Sequence, residues 1–468
     1  MPSFVPPALP STARYKTQFK NAIAAKTLPM ATLLWGHVTY ISGQSVHIQG
    51  LSAFIGLGAL ICVGPSAHDG LRGDIISIEG DKAIAMMHGS LEGLKVGARA
   101  YYVEEDIPHP SQDWIGRVLN YEGKTVTGEM PMPGTCPAPL KAKPPKAILR
   151  KALGPRLATG VAAIDTFLPL CEGQRMGLFA GSGVGKSTLL AALAKSGSAD
   201  VNIIALIGER GREVRSFVEE TLGADGMKKS IVFVATSNEP SAIKLRTALL
   251  AMAAAEYFRD QGQQVLFLFD SLTRYAEAHR DVALTAGEVP ALRAYPPSTF
   301  SALAALCERA GPGIDSQGDI TAVFSVLVAG SNMEEPIADM VRGILDGHII
   351  LDRDIAERGR YPAINILRSV SRSLPEAATD TENENLLTAR KYITQYENSH
   401  TLIQAGLYVD GTDAELDKAI CVYADLDNFI GQTTAPDISE NFSQLQTILD
   451  MVKDASPTPK PDVAGPEG

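Results

Sequence analysis

The segment Ala180-Gly181-Ser182-Gly183-Val184-Gly185-Lys186-Ser187 constrains this chain more than any other. An apolar run, RMGLFA, precedes it and reads as a buried strand; TLLAALAK follows and reads as a helix. Glycines let the backbone curl so that successive N–H groups point at one centre, and the positive end of the next helix faces the same centre. Strand, glycine-rich turn, Lys-Ser and helix in that order make a phosphate-binding loop. Backbone groups of Gly181, Ser182, Gly183, Val184, Gly185, Lys186, Ser187 and Thr188 would surround the phosphates of ATP. The Lys186 ammonium would reach the β- and γ-phosphates, and the Ser187 hydroxyl would coordinate Mg²⁺. Ala180 stands where the strict pattern opens with Gly, and it is small enough to be tolerated there.

Residues 151–379 supply the surroundings such a loop needs. Apolar strand-like runs (RMGLFA, NIIALIG, SIVFVAT, QVLFLFD, ITAVFSVLV, HIILD) alternate with helical stretches, which implies βαβ units on a mostly parallel, buried sheet. The run Gln264–Phe269 ends in Asp270, an acid at the carboxyl end of a buried strand and so a candidate for the Mg²⁺ side of the site. An ordinary helix N-cap is the plainer reading of Asp270-Ser271. The run Asn202–Gly208 leads straight into Glu209-Arg210-Gly211-Arg212-Glu213. Glu209 falls on the same sheet edge as the loop and is a candidate base, with arginines beside it for γ-phosphate charge; taken alone the stretch is a solvated charge run.

The flanks differ. Residues 31–129 carry short alternating segments split by Gly, Ser, Asn and Asp, the signature of a small antiparallel β-barrel or sandwich. Residues 130–150 are rich in Pro and Lys and read as a linker. Residues 380–455 lack a strand pattern and fit three helices, at 382–404, 413–432 and 439–454. Residues 1–30 hold an extension in which Tyr15, Phe19, Ala22 and Ile23 recur at helical spacing, as a helix docking a partner or packing on its own chain would have them. Residues 456–468 read as a disordered tail.

The net charge of −11 argues against broad binding to nucleic acid or anionic membrane. The five cysteines show no paired spacing, which suits a reducing compartment and neither a zinc site nor a disulfide framework. No apolar run approaches the length of about 18 residues needed to span a bilayer, and no signal-peptide pattern opens the chain. The expectation is a cytoplasmic protein.

Six segments in order, AGSGVGKS, IGERGREV, LFDSLTRYAEAHR, GEVPALRAYPPSTF, DGHIILDRDIAERGRYPAI and LRSVSR, give the chain a specific likeness. It resembles the flagellar and type III secretion export ATPases, relatives of the rotary ATP synthase catalytic subunits, over residues 100–435. Residues 1–95 match only in outline. The resemblance implies an α/β fold: a RecA-like P-loop ATPase core with an N-terminal small β-barrel and a C-terminal helical domain. It implies that Glu209 polarises the attacking water, that Arg210 and Arg274 lie near the γ-phosphate, and that Tyr361 stacks on adenine. Arg372 would be an arginine finger reaching a neighbouring subunit's site. From the residues alone, Tyr361 is a packed loop tyrosine and Arg372 a surface arginine.

The resemblance further implies a homohexamer that hydrolyses ATP to energise export of flagellar proteins. Its implied partners are a dimeric stator-like regulator on residues 1–30, a coiled-coil stalk protein in the ring pore, an export gate and chaperone–substrate complexes, with peripheral association at the inner face of the cytoplasmic membrane. An injectisome ATPase shares nearly identical motifs. A rotary ATP synthase subunit fits less well, because the AGSGVGKS loop and the short helical C-terminal part are export-type and one chain carries both carboxylate and finger. An RNA-translocating hexamer of the Rho type would want a basic, aromatic-studded platform that this acidic chain does not offer.

Overall fold

The computed structural model describes residues 34–104, 107–291, 294–328, 333–433 and 437–454. The expected docking helix within 1–30 and the tail from 456 lie outside the described residues. The described chain forms two compact units: residues up to 106 with 239–243 and 278–290 form one, the remainder the other.

The first unit is built on six strands: β1 (Trp35–Ser42), β2 (Ser45–Gln49), β3 (Leu60–Val63), β4 (Leu71–Glu79), β5 (Lys82–Met87) and β6 (Arg99–Val103). They close into a barrel in the order β1-β2-β5-β4-β3-β6. Closure leaves no open sheet edge. Val38, Val46, Ile48, Ile61, Ile75, Ala83, Ala85 and Ala100 fill the buried interior, which is what period-2 alternation produces when one face turns inward.

The second unit carries an eight-stranded sheet. Its strands are β7 (Val118–Leu119), β8 (Arg175–Ala180), β9 (Val201–Glu209), β10 (Ser230–Thr236), β11 (Val265–Asp270), β12 (Ile320–Leu327), β13 (Gly347–Leu351) and β14 (Val370–Ser371). The order is β14-β13-β8-β12-β11-β9-β10-β7, and every pairing is parallel except that of β13 with β14. Central strands covered on both faces read as continuous apolar runs. Phe267, Phe269 and Phe324 interlock there, with ring centroids 5.8–5.9 Å apart. Parallel strands place all their carboxyl ends on one edge, so Ala180, Glu209 and Asp270 share an edge by topology.

The range 31–129 expected for the barrel is corrected by the structure. Barrel strands end at Val103, and Val118–Leu119 pairs with β10 of the large sheet. Trp114 packs its ring 6.0 Å from that of Phe233. β10 would otherwise end the sheet with an open edge, and alternation cannot say which sheet a short strand joins. The Pro-rich stretch after residue 130 is laid onto the second unit as well. Arg309 donates to Leu140 O at 2.7 Å and grips Glu256 through two nitrogens at 2.9 and 2.7 Å, all of it buried.

Three helices, Asp380–Gln404, Ala414–Ile430 and Ile438–Asp454, close the described chain. Thr379 and Glu382 form a reciprocal capping box at the first, and Asp413 caps the second. Leu386, Ile393, Val422, Leu426 and Leu445 join the same apolar core as β8 and its neighbours. Arg390 ties the first helix to the core by donating to Ile366 O and Phe167 O.

Candidate nucleotide-binding site

β8 is buried from Met176 to Ala180, and the chain then turns through Gly183 and Gly185 at φ of 80° and 89° into the helix Lys186–Ser196. Those are left-handed conformations that glycine adopts without a steric cost. Val184 is buried and pins the turn, while Ser187 and Thr188 stay exposed on the first turn of the helix.

Two residues at strand carboxyl ends, Glu209 and Asp270, converge on this loop. The Lys186 ammonium contacts Asp270 Oδ1 and lies 3.3 Å from Glu209 Oε1. Asp270 is 3% exposed, and its Oδ1 also accepts a 2.6 Å hydrogen bond from Ser325 Oγ on the adjacent β12. Burial alone would lower the Lys186 pKa; Asp270 and Glu209 outweigh it, and the pKa is raised. Burial, then the like charge of Asp270, pushes the Glu209 carboxyl above its ordinary range, against the pull of Lys186.

Gly208 shapes the approach. Its φ is +77°, and a Cβ there would come within 2.9 Å of Arg274 Cβ and Cγ, so glycine lets the Arg274 stem lie against the end of β9. Arg274 Nη1 donates to Glu277 at 2.8 Å. Arg210 is 69% exposed and pairs with Glu213 at 3.2 Å. A cavity of about 350 Å³ beside the loop is lined by Ser187, Arg212, Glu213, Ser216, Phe217 and Thr221.

Tyr361, distant in sequence, lies next to the loop: a Cβ on Gly185 would meet its ring at 3.2 Å. Half of Tyr361 (52%) remains exposed, as a stacking surface requires. Arg372 is elsewhere. Its N–H donates to Asp346 O at 3.0 Å, just beyond edge strand β14, at the end of the sheet where the parallel strands begin. It is exposed and is not brought to its own chain's Lys186. Sequence reasoning missed Ser325 and Gly208. A lone hydroxyl inside the apolar run ITAVFSVLV was the available signal for Ser325; nothing local marked Gly208.

The donor set fits a nucleotide-bound divalent ion. Ser187 and Asp270 offer hard oxygen ligands of the kind Mg²⁺ takes. Among the described residues no cluster of three or more His, Cys, Asp or Glu could hold a metal unaided. An ion here would complete its shell with phosphate oxygens and water, the usual state of Mg²⁺ at such sites.

Known proteins share this arrangement of sequence and fold. Residues 160–371 match the nucleotide-binding domain of the ATP synthase alpha/beta family, and residues 378–450 match the T3SS EscN ATPase C-terminal domain. The flagellum-specific ATP synthase of Caulobacter vibrioides is 42% identical over 439 residues, covering 92% of this chain and 99% of that protein. The SPI-2 type 3 secretion system ATPase of Salmonella typhimurium is 40% identical over 400 residues, covering 85% of this chain and 90% of that one. The assembled ATPase EscN of enteropathogenic E. coli, solved with its central stalk EscO, superimposes with a TM-score of 0.77 at 36% identity, over 88% of this chain and 100% of that one. This chain therefore belongs to the ATPase family of the flagellum-specific ATP synthases and the type III secretion system ATPases.

Proposed function

We propose that this chain hydrolyses Mg-ATP to ADP and phosphate as a homohexameric ring and thereby energises export of flagellar proteins through a type III secretion apparatus. The observation that carries the reading is the convergence of Asp270 and Glu209, each from the carboxyl end of a different parallel strand, on Lys186 of the phosphate loop. The two carboxylates face the Lys186 ammonium, which would reach the β- and γ-phosphate oxygens of bound ATP. Ser187 and Asp270 would hold Mg²⁺, which would offset phosphate charge. Glu209, with its raised pKa, orients the attacking water and accepts its proton at a carboxylate oxygen. Arg210 and Arg274 steady charge on the γ-phosphate, Tyr361 stacks on adenine, and Arg372 serves the neighbour's site. Its distance from its own loop along the sheet supports a role in trans.

The assembly reading draws on EscN, which was solved assembled and with a central stalk. A coiled-coil stalk in the ring pore, a dimeric stator-like regulator on residues 1–30, an export gate and chaperone–substrate complexes complete the proposed partners. No helix among the described residues is long and apolar enough to cross a membrane. The proposed location is the cytoplasm, peripherally at the export apparatus, without nucleic acid. The identity to a SPI-2 ATPase supports a second reading, service to an injectisome.

A strain whose copy carries Lys186→Ala tests both readings. Loss of hook and filament proteins from the medium, with EDTA-sensitive phosphate release by the purified wild-type protein, is the expected result. Normal flagellar export with loss of injectisome effectors would favour the second reading, and metal-independent turnover would remove Mg²⁺ from the first.

A further inference from the structure

The second C-terminal helix, Ala414–Ile430, ends against the loop that carries Tyr361. A Cβ on Gly431, just past that helix, would lie 3.3 Å from Arg360 Cγ and 3.5 Å from Tyr361 O. The Arg360 side chain is only 12% exposed; its Nε lies 2.9 Å from Asp427 Oδ1 on that helix, and its Nη2 donates to Ile364 O at 3.0 Å. Two residues earlier, Arg358 lies 3.6 Å from Glu397 of the first C-terminal helix, and Glu397 accepts a 2.6 Å hydrogen bond from Tyr423 of the second. A cavity of about 340 Å³ separates loop from helices around these groups. The loop is therefore not packed solidly onto the helices: beside the cavity, discrete polar pairs hold it. A nearly buried guanidinium left without its carboxylate is disfavoured, so Asp427 helps to hold Arg360 in place beside the hydrogen bond to Ile364 O. Tyr361 is the next residue, half exposed, with its ring beside Gly185 of the phosphate loop.

We infer that Asp427 is a positioning residue for the nucleotide base: through Arg360 it sets the place of the Tyr361 ring relative to the phosphate loop. The inference rests on the assignment of Tyr361 to adenine. It makes the C-terminal helices part of base recognition while leaving the phosphate chemistry to the α/β core.

Steady-state hydrolysis and titration with a fluorescent (N-methylanthraniloyl) ATP analogue test it, using full-length Asp427→Asn, Asp427→Glu, Tyr361→Ala and the double variant Asp427→Asn/Tyr361→Ala. Asp427→Asn should raise KM and the analogue's Kd about fivefold, the scale of one charge-assisted contact that is partly solvent-exposed. Its kcat should stay within about twofold of wild type, because no phosphate-side group is touched. Inhibition by inorganic tripolyphosphate, which lacks a base, should be unchanged. Asp427→Glu, which keeps the charge, should recover most of the affinity, and the double variant should bind no more weakly than Tyr361→Ala alone. An unchanged KM in Asp427→Asn, an equal loss of tripolyphosphate inhibition, or additive losses in the double variant would overturn the inference. If Tyr361→Ala itself leaves KM unchanged, the adenine assignment fails first. If Tyr361→Ala weakens binding and Asp427→Asn does not, only the positioning role is lost.

Discussion

Glu209→Gln separates binding from chemistry and changes stability in an unusual direction. The carboxamide keeps the shape of Glu209, and Lys186 keeps Asp270 as a charged partner, so the phosphate loop retains its geometry. ATP affinity should stay within about threefold, while turnover falls by about two to four orders of magnitude with the loss of the base. Burial and then Asp270 hold the Glu209 pKa above its reference of 4.5. The folded chain thus binds that proton more tightly than the unfolded chain does. Ionised Glu209 costs stability above its folded pKa; the cost fades as pH falls through that value and is gone below 4.5. The neutral isostere removes the cost, so Glu209→Gln should melt higher than wild type at pH 8, with no gain at pH 4. Phosphate release, fluorescent-analogue titration and thermal melts of the nucleotide-free protein at both pH values measure this. Loss of ATP binding along with turnover, or a lower melting point at pH 8, would refute the reasoning and make Glu209 a structural residue.

Three further outcomes can be checked. Gly208→Ala forces a side chain into a left-handed backbone position at about 1–2 kcal/mol and against the Arg274 stem at about 1–3 kcal/mol more; melting temperature and turnover should both drop, and an unchanged protein would mean the stem is free to move. Glu256→Gln leaves the buried Arg309 uncompensated beside Leu140 O and should cost about 3–5 kcal/mol in denaturant unfolding, where a loss near zero would mean that Leu140 O and the new amide satisfy Arg309. Arg372→Ala should lower turnover about 10³–10⁵-fold while binding ATP. Mixed with Lys186→Ala from dilute monomers, it should regain activity, since about a quarter of interfaces in random rings pair an intact loop with an intact finger; no recovery in demonstrably mixed rings counts against a finger acting in trans.

What the sequence determined by itself is local or periodic. The phosphate loop was legible because strand, glycine turn, Lys-Ser and helix are contiguous and each has a short-range signature. The parallel sheet was legible because its strands are buried on both faces and read as unbroken apolar runs. The three C-terminal helices showed because residues 380–455 lack a strand pattern and fit helical stretches. Only the tertiary structure decided which edges and surfaces meet. It moved Val118–Leu119 out of the barrel and onto β10, since alternation reports which face is buried and not which sheet a strand joins. It set Ser325 against Asp270, the Arg274 stem against Gly208, Tyr361 beside Gly185 and Arg360 against Asp427. These partners lie far apart in the chain, and each position is fixed by close packing and charge neutralisation that no local run of residues encodes.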